Sequence, residues 1–312
     1  MVPNHTSNEE KVYREGMKVI VKYDATNAPE YTLGKIGIVT RATSTYPPCL
    51  DSYESRGYRV YVKVDSMEFP LLSNDIEPLE NHQNRIKSIK SRFLAHLKNP
   101  REVNITKDGL LGIDFVNKKV DVPLFADISR TILKPIYKGR FDKVAAPETS
   151  GFYIGPIVAA AIKAYFIPIR RGSHIPKTWG GYFSSDMEVI SATKSGGNHF
   201  IIPEEGLEPR DRVLLLDDFI RTGNAMLGGI NVLLKAGGRV VEILTVVDKS
   251  YEEGRKKLEK EGYIVRSLLS IENYEVLNSR KVRLYIRELF FEKFDPRKNI
   301  CCWAAVTRQR GQ

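Results

Sequence analysis

The sequence predicts an α/β protein in which a small all-β barrel and a basic helix precede a mostly parallel sheet flanked by helices. Three observations predict it. Short alternating strands punctuated by glycines occupy residues 16–79, basic and apolar residues at helical spacing follow, and apolar runs separated by helix-compatible sequence begin near Gly109. Apolar strands that alternate with helices are typical of parallel sheets, because those strands are buried on both faces.

Composition narrows the class of protein. A chain of 312 residues suits about two domains, and 42% hydrophobic with 28% charged residues excludes collagen-like or wholly disordered chains. No apolar stretch approaches the roughly 18 residues of a membrane span, and the amino terminus is polar, so we expect a cytoplasmic protein. Three cysteines (Cys49, Cys301 and Cys302) match neither a disulfide framework nor zinc-ligand spacing, so we expect them to be reduced.

The net charge of +10 favours polyanionic partners. Charge alone leaves open whether these are nucleic acids or phosphorylated small molecules. The tail contributes to the excess, because residues 279–312 carry nine Lys or Arg against three Asp or Glu. We expect a basic C-terminal tail over residues 291–312.

Residues 1–80 are predicted to form the barrel. Apolar residues alternate with polar neighbours from Met17 to Tyr23, and the segments GKIGIVT (34–40), YRVYVKV (58–64) and NDIEPL (74–79) follow. These segments resemble SH3-like barrels of the KOW type, in which the second glycine permits a tight strand bend. Such barrels bind RNA or protein, or act as packing modules, and these alternatives stay open.

Residues 81–108 are predicted to form a basic amphipathic linker helix. Ile86, Ile89, Phe93 and Leu97 recur at three- and four-residue spacing, and the pattern breaks near Asn99-Pro100. Between residues 81 and 101 there are six basic residues and no acid: Arg85, Lys87, Lys90, Arg92, Lys98 and Arg101. A solvated basic face over a docked apolar stripe is favoured over a dedicated nucleic-acid helix.

The segment VLLLDDFIRTGNA (213–225) carries the chemistry. Four apolar residues predict a buried strand, and Asp217 and Asp218 emerge at its carboxyl end, where open α/β sheets bind ligands. A helix follows and is expected to stop at Gly237-Gly238. The turn that joins strand and helix consists of Arg221, Thr222, Gly223, Asn224 and Ala225.

A strand, a short polar turn and a helix start form a phosphate cradle. Free backbone N–H groups at the helix start bind an anion, Gly223 permits a close approach, and Thr222 can add a hydroxyl donor. The two carboxylates suit hydroxyls or a magnesium complex better than a phosphate. A ligand with a terminal phosphate, a diol and a magnesium-bound diphosphate, such as 5-phosphoribosyl 1-diphosphate (PRPP), satisfies every part. The alternative is that the acids merely cap the strand.

This segment resembles the PRPP signature of type I phosphoribosyltransferases, most closely the xanthine phosphoribosyltransferase branch, with purine-operon repressors as near relatives. The likeness continues through ETSG (148–151), SATK (191–194) and residues 248–271. It covers most of residues 109–290 and none of the barrel. It therefore implies a type I phosphoribosyltransferase fold over residues 109–290.

The resemblance also implies site residues. Asp217 and Asp218, the residues assigned to catalysis, contact the ribose hydroxyls, and residues 221–225 hold the 5′-phosphate. Residues 172–199 match a mobile hood that closes over the substrates. The pyrophosphate site is formed by Glu148, Thr149, Ser150, Gly151, Arg170 and Arg171.

For the base, the resemblance implies contacts from Leu111 and Asn117, within an amino-terminal hood at residues 110–125, and from Lys249. An oxidised purine presents carbonyl acceptors, so an ammonium and an amide select oxo over amino groups. Lys249 could equally be a solvated residue that starts a surface helix, and the sequence leaves both readings open.

The expected activity is transfer of the phosphoribosyl group from PRPP to a 6-oxopurine, xanthine or guanine, with release of pyrophosphate in purine salvage. We expect a homodimer, with Mg²⁺ bound through PRPP rather than by direct protein ligands. The alternative is a non-catalytic, PRPP-sensing regulator that binds nucleic acid through the barrel and basic linker.

Overall fold

The structure is a computed structural model. It describes residues 13–22, 25, 28, 34–42, 59–72, 76–99, 102–105, 111–113, 116, 119–172, 180–186, 189–191, 194–278 and 281–287. The described residues fall into two compact units that meet in sequence between Lys87 and Ser88. Within the described ranges, no helix is long and apolar enough to cross a bilayer.

The first unit contains a five-stranded antiparallel sheet with strand order β4-β3-β2-β1-β5. Its strands are β1 (Lys18–Val21), β2 (Ile36–Ala42), β3 (Arg59–Val64), β4 (Met67–Leu72) and β5 (Ile76–Pro78). Alternate valines of β3, Val60, Val62 and Val64, are buried in its core. The predicted all-β piece is therefore confirmed, and β4, which the sequence did not predict, extends it.

Gly37, the second glycine of GKIGIVT, is explained by close packing between strands. A Cβ at this position would lie 2.3 Å from Cγ1 of Val62. The strand can approach β3 this closely only without a side chain at residue 37.

The helix after the barrel, α1 (Leu79–Lys98), ends at the predicted break near Asn99-Pro100, short of residue 108, to which the linker helix was assigned. Its stripe of Ile86, Ile89, Phe93 and Leu97 is buried, as the spacing indicated. The expected extent to residue 108 is wrong, because β6 (Val103–Ile105) pairs antiparallel with β7 (Leu111–Ile113). Proline at position 100 disfavours a helical conformation in the residue before it, which ends the helix.

The second unit contains an eight-stranded sheet with the order β10-β13-β9-β8-β14-β15-β16-β17. The five strands from β9 to β16 run parallel, and the others pair antiparallel at the two edges. The strands are β8 (Lys143–Pro147), β9 (Tyr165–Arg171), β10 (Tyr182–Ser184), β13 (Phe200–Pro203), β14 (Arg212–Ile220), β15 (Arg239–Lys249), β16 (Val265–Asn278) and β17 (Lys281–Arg287). The predicted mostly parallel sheet is confirmed.

Helices flank this sheet. They are α2 (Val122–Ile128), α3 (Lys134–Tyr137), α4 (Gly151–Ile162), α5 (Asn224–Lys235) and α6 (Gly254–Lys260). A π-helical turn, Ser129–Leu133, lies between α2 and α3, and β11 (Val189–Ser191) pairs with β12 (Lys194–Asn198) in a separate hairpin. Buried side chains of the strands and of α5 form one apolar core.

The strand order creates a crevice. Strand β8 lies between β9 and β14, so the chain leaves β8 toward one edge of the sheet and later returns to continue toward the other. Ligands of open α/β sheets bind at this switch point, outside the carboxyl ends of the strands. The loops after β8 and β14 are therefore the expected site.

Candidate active site

The two loops at the switch point contact each other. Ser150, after β8, stabilises the charged form of the Asp218 carboxyl on β14 and so lowers its pKa, and a Cβ on Gly151 would lie 3.5 Å from the carbonyl oxygen of Leu216 on the same strand. The ETSG loop is held at its other end, where the Glu148 N–H donates to the carbonyl oxygen of Ile169 at 2.8 Å, and its Glu148-Thr149 peptide bond is cis. A Cβ on Gly151 would lie 2.8 Å from Cβ of Ala146. Glycine therefore lets α4 begin directly against the end of β8.

The acid pair is desolvated. Asp218 is 7% exposed and Asp217 is half-buried. Oδ1 of Asp217 accepts the Asp218 N–H at 2.9 Å. Burial raises the pKa of both carboxyls, and the neighbouring Asp218 carboxylate raises the pKa of Asp217 further. Two crowded carboxylates favour a ligand that brings hydroxyl donors or a cation.

The turn after β14 has the backbone of an anion site. Gly223 has φ of 77° and directly precedes α5. Within the part of the chain that the structure describes, no side chain caps this helix, so its first N–H groups are available to a ligand. Thr222 is exposed beside them. The structure thus places the predicted phosphate residues around one helix start.

Arg221 behaves differently from the rest of the turn. Its Nε donates to both carboxylate oxygens of Glu252, at 2.9 and 2.8 Å. The guanidinium is therefore held by a residue that lies after β15. Sequence reasoning missed Glu252, because nothing local in the sequence pairs residues so far apart.

The basic pair at the end of β9 carries buried donors. Arg171 is 9% exposed, and its Nε and Nη1 have no hydrogen-bond partner among the described residues; the same holds for Nε of Arg170. The Arg171 backbone N–H donates to the Glu148 carboxylate at 3.1 Å, which places the pair beside the ETSG loop. Buried donors without acceptors are costly, and diphosphate oxygens would satisfy them.

Two of the three predicted base-contact residues, Lys249 and Leu111, contact each other. Nζ of Lys249 donates to the carbonyl oxygen of Leu111 at 2.8 Å and lies 5.4 Å from the ring centroid of Phe219. Lys249 ends β15 and is 5% exposed, so it is not the solvated start of a surface helix. Burial, and then the charge of Arg221, lowers its pKa to about 8.

Other predicted site residues are covered only in part. Asn117 lies outside the described residues, as do residues 173–179, 187–188 and 192–193 of the hood. The base-contact role of Asn117 and the hood's closure stay predictions.

Comparison with known proteins identifies the family. A model of the phosphoribosyl transferase domain matches residues 121–277. The chain belongs to the phosphoribosyltransferase family. The matched residues contain both loops of the switch point, the basic pair and Lys249. The predicted membership is confirmed.

Similar proteins include two enzymes named xanthine phosphoribosyltransferase. That of Staphylococcus carnosus is 34% identical over 177 residues, which span 56% of this chain and 88% of the relative. That of Streptococcus gordonii is 31% identical over 191 residues, which span 61% and 94% respectively. Among solved structures, adenine phosphoribosyltransferase from Thermoanaerobacter pseudethanolicus matches 52% of this chain and 89% of its own, with 26% identity and a TM-score of 0.44.

Proposed function

We propose that this phosphoribosyltransferase transfers the 5-phosphoribosyl group from PRPP to a 6-oxopurine, xanthine or guanine, with release of pyrophosphate. The observation that carries the proposal is the close approach of the ETSG loop to the strand that bears the acid pair, with the buried Arg171 guanidinium near enough for its charge to act on the Asp217 carboxyl. The relatives named xanthine phosphoribosyltransferase support the choice of base, because the likeness spans about nine-tenths of their length.

Each group has one role in this proposal. The backbone N–H groups at the start of α5 hold the 5′-phosphate, and Asp217 and Asp218 accept hydrogen bonds from the ribose hydroxyls. The bond between C1′ and the diphosphate oxygen breaks with its electron pair leaving on the diphosphate, the bond between C1′ and a purine nitrogen forms, and the proton of that nitrogen passes to the diphosphate. Arg170, Arg171 and the ETSG backbone receive the charge that develops on the diphosphate. Positioning of the two substrates supplies most of the catalysis.

The base would be selected by donors. A lysine with a pKa of about 8 is mostly an ammonium at neutral pH, and an ammonium can only donate hydrogen bonds. A carbonyl oxygen on the purine accepts such a bond, whereas an exocyclic amino group does not. Lys249 therefore favours a 6-oxopurine over adenine.

The residues present fit magnesium bound through the substrate. Mg²⁺ keeps several waters and is bound readily through substrate phosphates, and the crowded acid pair favours a ligand that brings a cation with it. Among the described residues there is no cluster of three His, Cys, Asp or Glu side chains that could hold a metal by itself. Bound with PRPP, magnesium would neutralise the leaving diphosphate.

A homodimer and a cytoplasmic location are part of the same proposal and rest on the resemblance to the family and on composition. Light scattering of the purified protein tests the dimer. Nucleic-acid binding by the barrel and basic helix stays a prediction, which a gel-shift assay with RNA and DNA would test.

Pyrophosphate release tests the proposed reaction. The protein is incubated with PRPP and magnesium, and with xanthine, guanine, hypoxanthine, adenine and orotate in turn. We expect release with xanthine or guanine, and its loss in Asp218→Asn. Asp65→Asn is the matched control, because Asp65 is an exposed barrel carboxylate in a left-handed conformation that asparagine also adopts. Absence of release with every base would refute the proposal, and release with adenine alone would refute the assigned base site.

A further inference from the structure

A short segment after Lys249 connects the base site to the phosphate turn. It consists of the 3-10 turn Ser250–Glu252 and the first turn of α6, and we call residues 250–257 the brace. One side of the brace is fixed to β16. Ser250 Oγ donates to the carbonyl oxygen of Ile271 at 3.2 Å, and Nη2 of Arg255 donates to the carbonyl oxygen of Val265 at 2.8 Å.

The other side of the brace contacts the phosphate turn at three points. Glu252 accepts both hydrogen bonds from Nε of Arg221. Nζ of Lys257 donates to Oδ1 of Asn224 at 2.8 Å. Between them, Gly254 packs so closely that a Cβ would lie 1.9 Å from the carbonyl oxygen of Arg221 and 2.7 Å from the backbone nitrogen of Gly223.

These contacts bear on the shape of the turn. Gly223 has a positive φ and a Cβ there would lie 3.0 Å from the carbonyl oxygen of Gly254, so the two glycine backbones fit against each other. An anion site made of backbone N–H groups works only if those groups converge, and small displacements of a binding group cost much affinity. The turn is therefore supported from behind by a segment that follows directly on Lys249.

We infer that Glu252 and Gly254 are positioning residues, which act through Arg221 and Gly223 to keep the phosphate turn in its PRPP-binding shape. The inference rests on the proposed function, since it assigns the brace to the PRPP side of the same reaction. In this inference neither Glu252 nor Gly254 contacts a substrate. Lys249 is fixed by its own contact with Leu111. Loosening the contact between the brace and the phosphate turn should therefore weaken the binding of PRPP more than the binding of the purine.

The test is a comparison of Glu252→Ala and Glu252→Gln with Glu253→Gln. Glu253 is the matched control, because it is the adjacent carboxylate and its side chain pairs with Lys256 at 2.7 Å, away from the turn. For Glu252→Ala we expect KM for PRPP to rise about tenfold, the value of a charge-assisted hydrogen bond, with KM for the purine and kcat changed less than about twofold. Glu252→Gln keeps one acceptor oxygen and should show a smaller rise, and Glu253→Gln should match the wild type.

Calorimetry with PRPP and magnesium, and thermal unfolding of the substrate-free protein, complete the experiment. Unchanged PRPP affinity in both Glu252 variants of an active enzyme would overturn the inference alone. A parallel rise of both KM values with a lower melting temperature would overturn it too, because that pattern indicates general loss of packing. No heat from PRPP with the wild type would refute the proposed function and the inference together. Gly254→Ala should weaken PRPP binding more than Glu252→Ala, since it displaces the backbone of Arg221.

Discussion

Replacement of Asp217 by asparagine distinguishes the effect of the acid pair on folding stability from its effect on PRPP binding. In the substrate-free protein, burial and then the crowding by Asp218 raise the pKa of the Asp217 carboxyl well above its usual value. Asp217→Asn keeps an acceptor oxygen for the Asp218 N–H and removes the repulsion. A raised pKa costs stability at neutral pH, and a substitution that removes such a cost typically changes the free energy of unfolding by about 1 kcal/mol, so we expect the variant to be more stable by about that amount, or roughly 2–4 °C in melting temperature.

The difference in stability between wild type and Asp217→Asn should depend on pH. A carboxyl whose pKa is raised in the folded state binds more protons when folded, so it costs stability as pH rises above its unfolded value near 4. The melting temperatures of wild type and Asp217→Asn should therefore nearly coincide at about pH 4 and diverge toward about pH 8. Differential scanning fluorimetry across this range measures the difference, with Asp65→Asn as the control.

The same substitution should weaken the binding of PRPP. A charged acceptor contributes about 1 kcal/mol more per hydrogen bond than a neutral one, so we expect affinity for PRPP and magnesium to fall about five- to tenfold in calorimetry. Greater stability with lower affinity is the pattern expected of a functional acid pair. An unchanged or lower melting temperature at the alkaline end would refute the repulsion, and unchanged affinity would refute the contact with the sugar.

Three further predictions follow from single residues. Affinity for xanthine should fall as pH rises through about 8, the pKa of the Lys249 ammonium, and steady-state kinetics of Lys249→Gln should lack this dependence. Gly223→Ala should weaken PRPP binding in calorimetry by more than about tenfold, because φ is positive and a Cβ would press on Gly254. Asp248→Asn should raise the melting temperature increasingly from about pH 4 upward, because burial raises the pKa of this carboxyl even with Nη1 of Arg255 3.6 Å from its Oδ2; equal melting temperatures at neutral pH would contradict this.

The parallel sheet and the phosphate turn could be predicted from the sequence because their signals are local. Apolar runs mark strands that are buried on both faces, and a strand that ends in Asp217-Asp218 and leads through Gly223 into a helix is contained in one short segment. The helix α1 could be located by the spacing of its apolar stripe. The break near Asn99-Pro100 was also predicted, whereas β6 was not, because its partner β7 lies beyond the local pattern.

The rest of the site was decided by tertiary structure. The sequence left Lys249 either buried or solvated, and only the contact with Leu111, far away in the chain, shows that it is buried. The pairing of Arg221 with Glu252 and the packing of Gly254 likewise join residues from different loops. Periodicity and motifs report what each segment prefers by itself, whereas these contacts exist only once the strand order has brought separate loops to the same edge of the sheet.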